Sequence, residues 1–382
     1  MCIFAKNLAT VFMAKIENPF RFGSVVTDSS FIDRQDKIKF VLDVMESGNH
    51  LVLIAPRRYG KTSLALKATE GIKRPVININ LQNVTDEADF ARQLIKGTLH
   101  HYPLKKIKYA FTHFAVVPTI SSDPTSGSIE VSLAPTVRGD IALGDAFGLV
   151  EEAGKSGPKP IIIFDEFQDA EDIAPNMLKK LRGIMQLQSH VNYMLLGSQE
   201  SMMREIFEKK KSPFYHFGTL LHLPGIPEDE FMGYLQSGFA LCYKGETSEI
   251  SKQILEFTKC HPYYTQELSF YVWNELKEYA QAPADLVEKV IQSAVSRKDY
   301  DYERLWARLS NNNKKMLKAL ASGLTSSIYT KEFLLATGIN AASTVRGCVK
   351  RLLKDGFIIN DETRKEYRVE DPFFQQWLKN LF

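Results

Sequence analysis

Hydrophobic and polar positions fall into a repeating order along the first half of the chain. Residues 31–47, FIDRQDKIKFVLDVMES, carry apolar side chains at helical spacing, with Asp33 as a candidate cap. LVLIA at 51–55 is a short unbroken apolar run that predicts a buried strand, and 61–70 returns to helical spacing. PVININL at 75–81 predicts a second strand and 86–99 a helix. PIIIFDE at 160–166 and VNYMLLGS at 191–198 predict a third and a fourth strand, with helices over 142–153 and 174–187. Strand alternating with helix implies an α/β fold with a parallel sheet covered on both faces.

The order lapses between about 100 and 140. There HHYPLKKIKY precedes SSDPTSGSIEVSLAP, whose Asp-Pro and Ser-Gly pairs frame a short strand at 128–133 and predict a hairpin insertion. After Gly225 strands nearly cease. Stretches 228–239, 248–259, 263–280 and 284–296 have helical spacing and predict a lid-like helical domain. From about Tyr300 three short helices (313–321, 331–336 and 343–354) lead into FIIN, DETRK and EYRVED, the order of a winged helix-turn-helix. SNNNKK at 310–315 reads as a helix start with an asparagine cap, and Ser343 or Thr344 as the cap of the third helix, which Gly356 ends. The expected division is an N-terminal extension at 1–30, an α/β core at 31–224, a helical lid at 225–299 and a winged helix at 300–382.

Composition narrows the class. A chain of 382 residues exceeds one ordinary core. It is 44% hydrophobic and 24% charged, as in soluble globular proteins. The net charge of +3 leaves any nucleic-acid surface local. Cys2, Cys242, Cys260 and Cys348 form no CxxC pair, which argues against a zinc site or a disulfide framework and fits a reducing cytoplasm. No apolar run approaches the roughly 18 residues of a membrane span. MCIFAKNLATVFMAK lacks the basic start of a signal peptide, and Met13, before AKIENPF, is a second candidate start.

The candidate chemistry begins between the first strand and its helix. Ala55-Pro56-Arg57-Arg58-Tyr59-Gly60-Lys61-Thr62, followed by Ser63, matches the phosphate-binding pattern GxxxxGK[ST] except at its first position. Backbone N–H groups of such a loop and the following helix N-terminus surround phosphates. Lys61 would reach the β- and γ-phosphates and Thr62 would bind Mg²⁺. Pro56 restricts Ala55 to extended backbone, so alanine there is a mild departure. The apolar strand IIIFDEFQD ends in adjacent carboxylates, which is costly unless they meet a cation or water. At the carboxyl end of a parallel strand they face the ligand crevice, Asp165 to hold Mg²⁺ and Glu166 to activate water. Asp169 reads as a surface or helix-start residue. The fourth strand ends in Ser198, with Gln199 second, as the side chain that senses the γ-phosphate.

NPFRFGSVV, FIDR, APRRYGKTSL, IIIFDEFQD, MLLGSQ, SPFYHF and KCHPYY occur in this order, and DPFFQQWL near the end. Together they resemble an archaeal and bacterial ATPase family of the AAA+/STAND branch of P-loop NTPases. The resemblance implies an ATP-binding αβα core with a helical lid and a C-terminal winged helix. It implies that Phe31 and Arg34 lie near the adenine and that His261-Pro262 contacts the base or phosphate, although Cys260 stands where relatives often have glycine. Relatives often read SPLYGR where this chain has SPFYHF, so an arginine that could reach a phosphate is missing, with Arg182 or Arg204 as substitutes. That departure bears on hydrolysis rate, since an arginine finger carries a large rate factor.

In the winged helix, Arg346, Lys350, Arg351 and Lys354 share one face of the third helix, opposite Val345, Val349, Leu352 and Leu353. With Thr344 and the wing residues Arg364 and Lys365 they form a candidate face for double-stranded DNA. Asp361, Glu362, Glu366, Glu370 and Asp371 dilute that charge. The expected function is an ATPase, using ATP and Mg²⁺, that controls a DNA-binding winged helix. The alternative is a slowly hydrolysing nucleotide switch that assembles with itself or a protein partner. A nuclease lacks a carboxylate cluster after Phe217.

Overall fold

The computed structural model describes residues 17–25, 31–32, 34–103, 111, 114–115, 118–122, 129–134, 138–361 and 365–381. Asp33, the candidate cap, lies outside them, and Arg34 stands at the start of the first helix.

A five-stranded parallel sheet organises one compact unit, residues 25–225 with 325–370. Chain order runs α1 (Gln35–Glu46), β1 (Leu51–Ile54), α2 (Lys61–Glu70), β2 (Val76–Asn80), α3 (Glu87–His101), the hairpin β3 (Thr119–Ser122) and β4 (Ile129–Ser132), and α4 (Gly139–Ser156). It continues through β5 (Ile161–Asp165), α5 (Ala170–Ile173), α6 (Met177–Met185), β6 (Asn192–Gly197), α7 (Glu200–Phe207) and β7 (Thr219–His222). The sheet order is β2-β5-β6-β1-β7. Alternation along each strand divides its side chains between two cores. Leu51, Leu53, Ile161 and Ile163 join Val41, Met45, Leu64 and Ala65 on one face. Val52, Ile54, Ile162 and Phe164 join Phe90, Leu94, Phe147 and Val150 on the other. The result is a three-layer αβα sandwich.

Two details differ from the sequence reading. β7 is an additional strand: TLLH is four residues long with an alternately half-buried pattern at the sheet edge, too short for its period to stand out. The helix expected at 174–187 is α6 alone, preceded by the separate turn of α5. The hairpin is antiparallel, pairing Thr119 with Ser132.

The second compact unit is helical and, among the described residues, comprises 17–24, 226–324 and 371–381. It contains α8 (Glu228–Phe239), α9 (Ser248–Thr258), α10 (Pro262–Leu276), α11 (Leu286–Arg297), α12 (Asp299–Arg308) and α13 (Asn311–Ala321). The N-terminal NPF stretch belongs here. Phe20 is fully buried, with its ring 4.9 Å from Phe239 and 5.7 Å from Tyr234. A Cβ on Gly238 would come within 2.5 Å of the Phe20 ring, which explains that glycine. Asn18 donates to the Phe270 carbonyl at 3.0 Å. The cap of α13 is Ser310, whose hydroxyl accepts from the Asn313 N–H at 3.3 Å, so the asparagines lie inside the helix.

Within the sheet-bearing unit, α14 (Lys331–Thr337), α15 (Ala342–Lys354) and the antiparallel ribbon β8 (Ile358–Asp361) and β9 (Glu366–Val369) follow. The helical unit closes with α16 (Pro372–Asn380), capped by Asp371. Ala341 precedes α15 and supplies no side-chain cap, so neither Ser343 nor Thr344 caps it; both lie in its first turn. Cys348 joins Val345, Val349 and Leu352 in the buried stripe, while Leu353 is half-buried. Gly356, at φ +73°, ends α15, with the Phe357 N–H returning to the Leu352 carbonyl at 2.8 Å.

Candidate nucleotide site

The loop between β1 and α2 is shaped by a few fixed points. Gly60 has φ +81°, left-handed backbone that favours glycine, and a Cβ there would meet nothing closer than 3.7 Å. Backbone conformation, not crowding, therefore requires glycine at this position. Arg58 also has a positive φ of 63°, whereas Ala55 does not, so alanine at 55 carries no backbone penalty. The Ala55 N–H donates to the Gly197 carbonyl at 3.3 Å, joining the loop to the end of β6. Arg34 is 7% exposed and clamps the loop from outside, donating to the Tyr59 carbonyl at 2.8 Å and the Pro224 carbonyl at 3.0 Å. Phe31 is half-buried against the α1–α2 core.

Lys61 opens α2 with only 5% of its surface exposed. Its ammonium donates to the carbonyls of Ala55 and Pro56, both at 3.0 Å. An ammonium has three donors, and these carbonyls take two. Burial lowers its pKa, and the nearby carboxylates of Glu166, Asp165 and Glu200 oppose that shift. Thr62 donates its hydroxyl to Asp165 Oδ2 at 2.6 Å. Burial pushes the Asp165 carboxyl above the ordinary aspartate value, against the stabilising Thr62 bond, with Glu166 raising it further. The described residues hold no group of three His, Cys, Asp or Glu able to take a metal. A cation here would draw on the Thr62 hydroxyl, the Asp165 carboxylate and phosphate oxygens, an all-oxygen set that suits Mg²⁺.

Glu166 follows directly, in left-handed backbone at φ 53°. Its Oε2 accepts from the Ser198 hydroxyl at 2.5 Å and from Gln168 Nε2 at 2.7 Å. Gln168, 2% exposed, also accepts the Ser198 N–H at 3.3 Å. Sequence reading gave Gln168 no role. A polar side chain two positions past the Glu, in an apolar setting, was the available clue. Burial raises the pKa of Asp169, in the turn that leads into α5. Gln199 and Arg57 line a cavity of about 230 Å³ beside Ser198. Ser63 lies within the first turn of α2.

Other expected residues belong to other elements. Pro262 is the first residue of α10 in the helical unit, and His261, buried, has its ring 4.5 Å from that of Tyr264. Arg182 lies away from this chain's own phosphate loop. Its guanidinium lies 5.1 Å from the Phe217 ring, which stacks on His50 at the opposite end of the sheet from Lys61. Arg204 does line the cavity beside Ser198. Within SPFYHF, Phe214 is buried among Phe167, Phe207 and Phe217.

On α15, Arg346, Lys350, Arg351 and Lys354 are all exposed, and so is Lys365 beside β9; Thr344 is half-buried. Arg346 lies 5.7 Å from the Tyr329 ring. Arg364 falls outside the described residues. Among the described residues no helix is long and apolar enough to cross a membrane.

Residues 300–380 match a family model described as a probable winged helix domain. No curated protein matches the chain. Among solved structures, the Walker-type ATPase PABY2304 of Pyrococcus abyssi is similar at 18% identity and a TM-score of 0.67, over 94% of this chain and 99% of that one. The ORC2 protein of Aeropyrum pernix, solved in ADPNP-ADP complexes, is similar at 15% identity and a TM-score of 0.53, over 95% and 98%. The chain therefore shares the fold of these ATPase structures, a parallel αβα core followed by helices, with a C-terminal winged helix over 300–380.

Proposed function

We propose that this protein binds and hydrolyses ATP at the β1–α2 loop, and that nucleotide state controls a winged helix that binds double-stranded DNA. The observation that carries this is the convergence of Lys61, Thr62, Asp165, Glu166 and Ser198 at the carboxyl ends of adjacent strands. Lys61 and the amides of the loop receive the phosphates. Thr62 and Asp165 would hold Mg²⁺, which when bound neutralises charge developing on the transferred phosphoryl group. Glu166, held in one orientation by Ser198 and Gln168, accepts the proton of a water that attacks the terminal phosphorus, and the bond to the ADP oxygen breaks. Phe31, Arg34, His261 and Pro262 complete the reading as candidate base and phosphate contacts. The exposed cations of α15 and Lys365 supply phosphate contacts to DNA.

Titration calorimetry with ATP and Mg²⁺ tests the first part. Anisotropy of a labelled duplex across a salt series tests the second, with log affinity falling by about 0.9 per contacted phosphate for each log unit of salt. A protein that binds ATP but neither turns it over nor binds duplex would instead be a switch acting through a protein partner. The absence of arginine from SPFYHF favours that second reading.

A further inference from the structure

Tyr59, the loop residue before Gly60, is held at both ends. Its carbonyl accepts from Arg34 at 2.8 Å. Its hydroxyl accepts from Arg368 Nη2 at 3.4 Å, and Arg368 lies on β9 of the wing. Across the ribbon, Arg368 Nε lies 3.8 Å from Asp361 Oδ2 on β8. The Tyr59 ring is 7% exposed, so it cannot swing away without opening this contact. Gly60 and Lys61 come next, and their backbone belongs to the loop that receives phosphate. A displacement of Tyr59 is thus transmitted to the phosphate-binding amides through a single peptide unit.

The wing also adjoins the terminal-phosphate end of the loop. Lys354, Ile358 and Asn360 share the 230 Å³ cavity with Pro56, Arg57 and Ser198. Burial raises the Tyr59 pKa, the charge of Arg368 opposes it, and Asp361, Glu200 and Glu370 reinforce it. The hydroxyl therefore stays protonated at neutral pH, as a neutral acceptor for Arg368. A third phosphate brings negative charge toward a locality that already holds three carboxylates and one guanidinium. ATP and ADP thus differ in their effect on the Arg368 contact.

We propose that Arg368 is a positioning residue for the phosphate loop: through Tyr59 it ties the wing ribbon to the backbone that receives the nucleotide, so nucleotide binding and wing position are coupled. This rests on the ATP-binding reading above. Linkage makes the coupling reciprocal, so a ligand that holds the wing by its cations changes ATP affinity by the factor by which ATP changes that ligand's affinity.

The test measures ATP and ADP dissociation constants, with Mg²⁺, for the wild type, Tyr59→Phe, Arg368→Ala, Arg368→Lys and the Tyr59→Phe/Arg368→Ala double variant. Tyr59→Phe removes one hydroxyl and keeps the buried ring, so thermal unfolding should show an intact fold. Both single variants are expected to change the ATP-to-ADP affinity ratio in the same direction, by about 5-fold. The double variant should go no further, and Arg368→Lys should restore part of the ratio. A structural role alone would lower thermal stability and leave the ratio unmoved. An unchanged ratio in Tyr59→Phe overturns the proposal, as do multiplying effects in the double variant. A wild type that binds neither nucleotide overturns both this proposal and the reading it rests on, a result readily told apart from an unchanged ratio.

Discussion

Polar side chains that are buried or half-buried gather at both ends of the five-stranded sheet, and they are bonded in different ways. At the amino end, Arg74 donates to the carbonyls of Lys159, Met45 and Pro160 and to the Asn192 side chain. Asn192 in turn donates to the Asn49 carbonyl at 2.9 Å. His50 accepts the Tyr193 N–H at 3.2 Å and stacks on Phe217 at 4.6 Å. This network ties strand starts and loops to one another and brings no two carboxylates together. At the carboxyl end, buried Lys61 and Asp165, with half-buried Glu166, place charges of both signs beside a left-handed glycine and the start of a helix. Burying charge is costly, so an arrangement that keeps a pair of adjacent carboxylates near a lysine is a candidate ligand site rather than a source of stability. One network holds the sheet together; the other, on the ATP-binding proposal, serves a substrate.

Substitutions can break this contrast at either end. The largest effect expected is at Glu166: Glu166→Gln should bind ATP normally and lose turnover by about 10³-fold in a phosphate-release assay. Lys61→Ala should weaken ATP by about 100-fold in titration calorimetry through the lost phosphate contact, while the unfolding transition moves little, because losing the two carbonyl bonds is offset by relief of a buried ammonium. Arg74→Ala should do the reverse. It should cost about 3 kcal/mol in urea unfolding by stranding several carbonyls, with ATP affinity per folded molecule unchanged.

Smaller effects sharpen the comparison through pH. Burial raises the Asp165 pKa, so its ionised form costs the folded state more than an exposed carboxylate would. Asp165→Asn should therefore raise stability by about 1 kcal/mol while losing Mg²⁺-dependent ATP binding. In the wild type, Mg²⁺ dependence should fade on acidification at a higher pH than an exposed aspartate would give. At the other end, burial lowers the His50 pKa from 6.5 to about 4. The unfolded chain then binds the extra proton between those values, so stability contributed by neutral His50 is full above about pH 6.5 and declines toward pH 4. His50→Phe should flatten that slope in thermal unfolding across the range, without a change in nucleotide affinity.

Much of the sheet was legible because its strands are long apolar runs ended by special residues. LVLIA leads into the loop, and IIIFDE carries its carboxylates at the strand end, where topology turns them toward the loop. β7 escaped because TLLH is short and half exposed, and at an edge its period is weak. Caps were harder. In SNNNKK every residue from 310 to 313 can cap, and which one does depends on where the preceding helix stops; Ser310 takes the role because α12 ends at Arg308. The contacts that shape the site were least legible. Gln168 reaches both Glu166 and Ser198 in a turn where Glu166 adopts left-handed backbone, and Arg368 reaches Tyr59 across 309 residues of sequence. Neither partner follows from spacing. The placement of Arg182 was hidden for a related reason: sequence gives the residue but not the end of the sheet to which its helix delivers it.

Hydrogen–deuterium exchange with and without ATP and Mg²⁺ tests the central contrast most directly. Protection is expected in 55–64 and 165–168 at the carboxyl end of the sheet, with 49–50, 74 and 192 at the amino end unchanged. Protection confined to the amino end, or none in 55–64 at saturating ATP, would contradict the account.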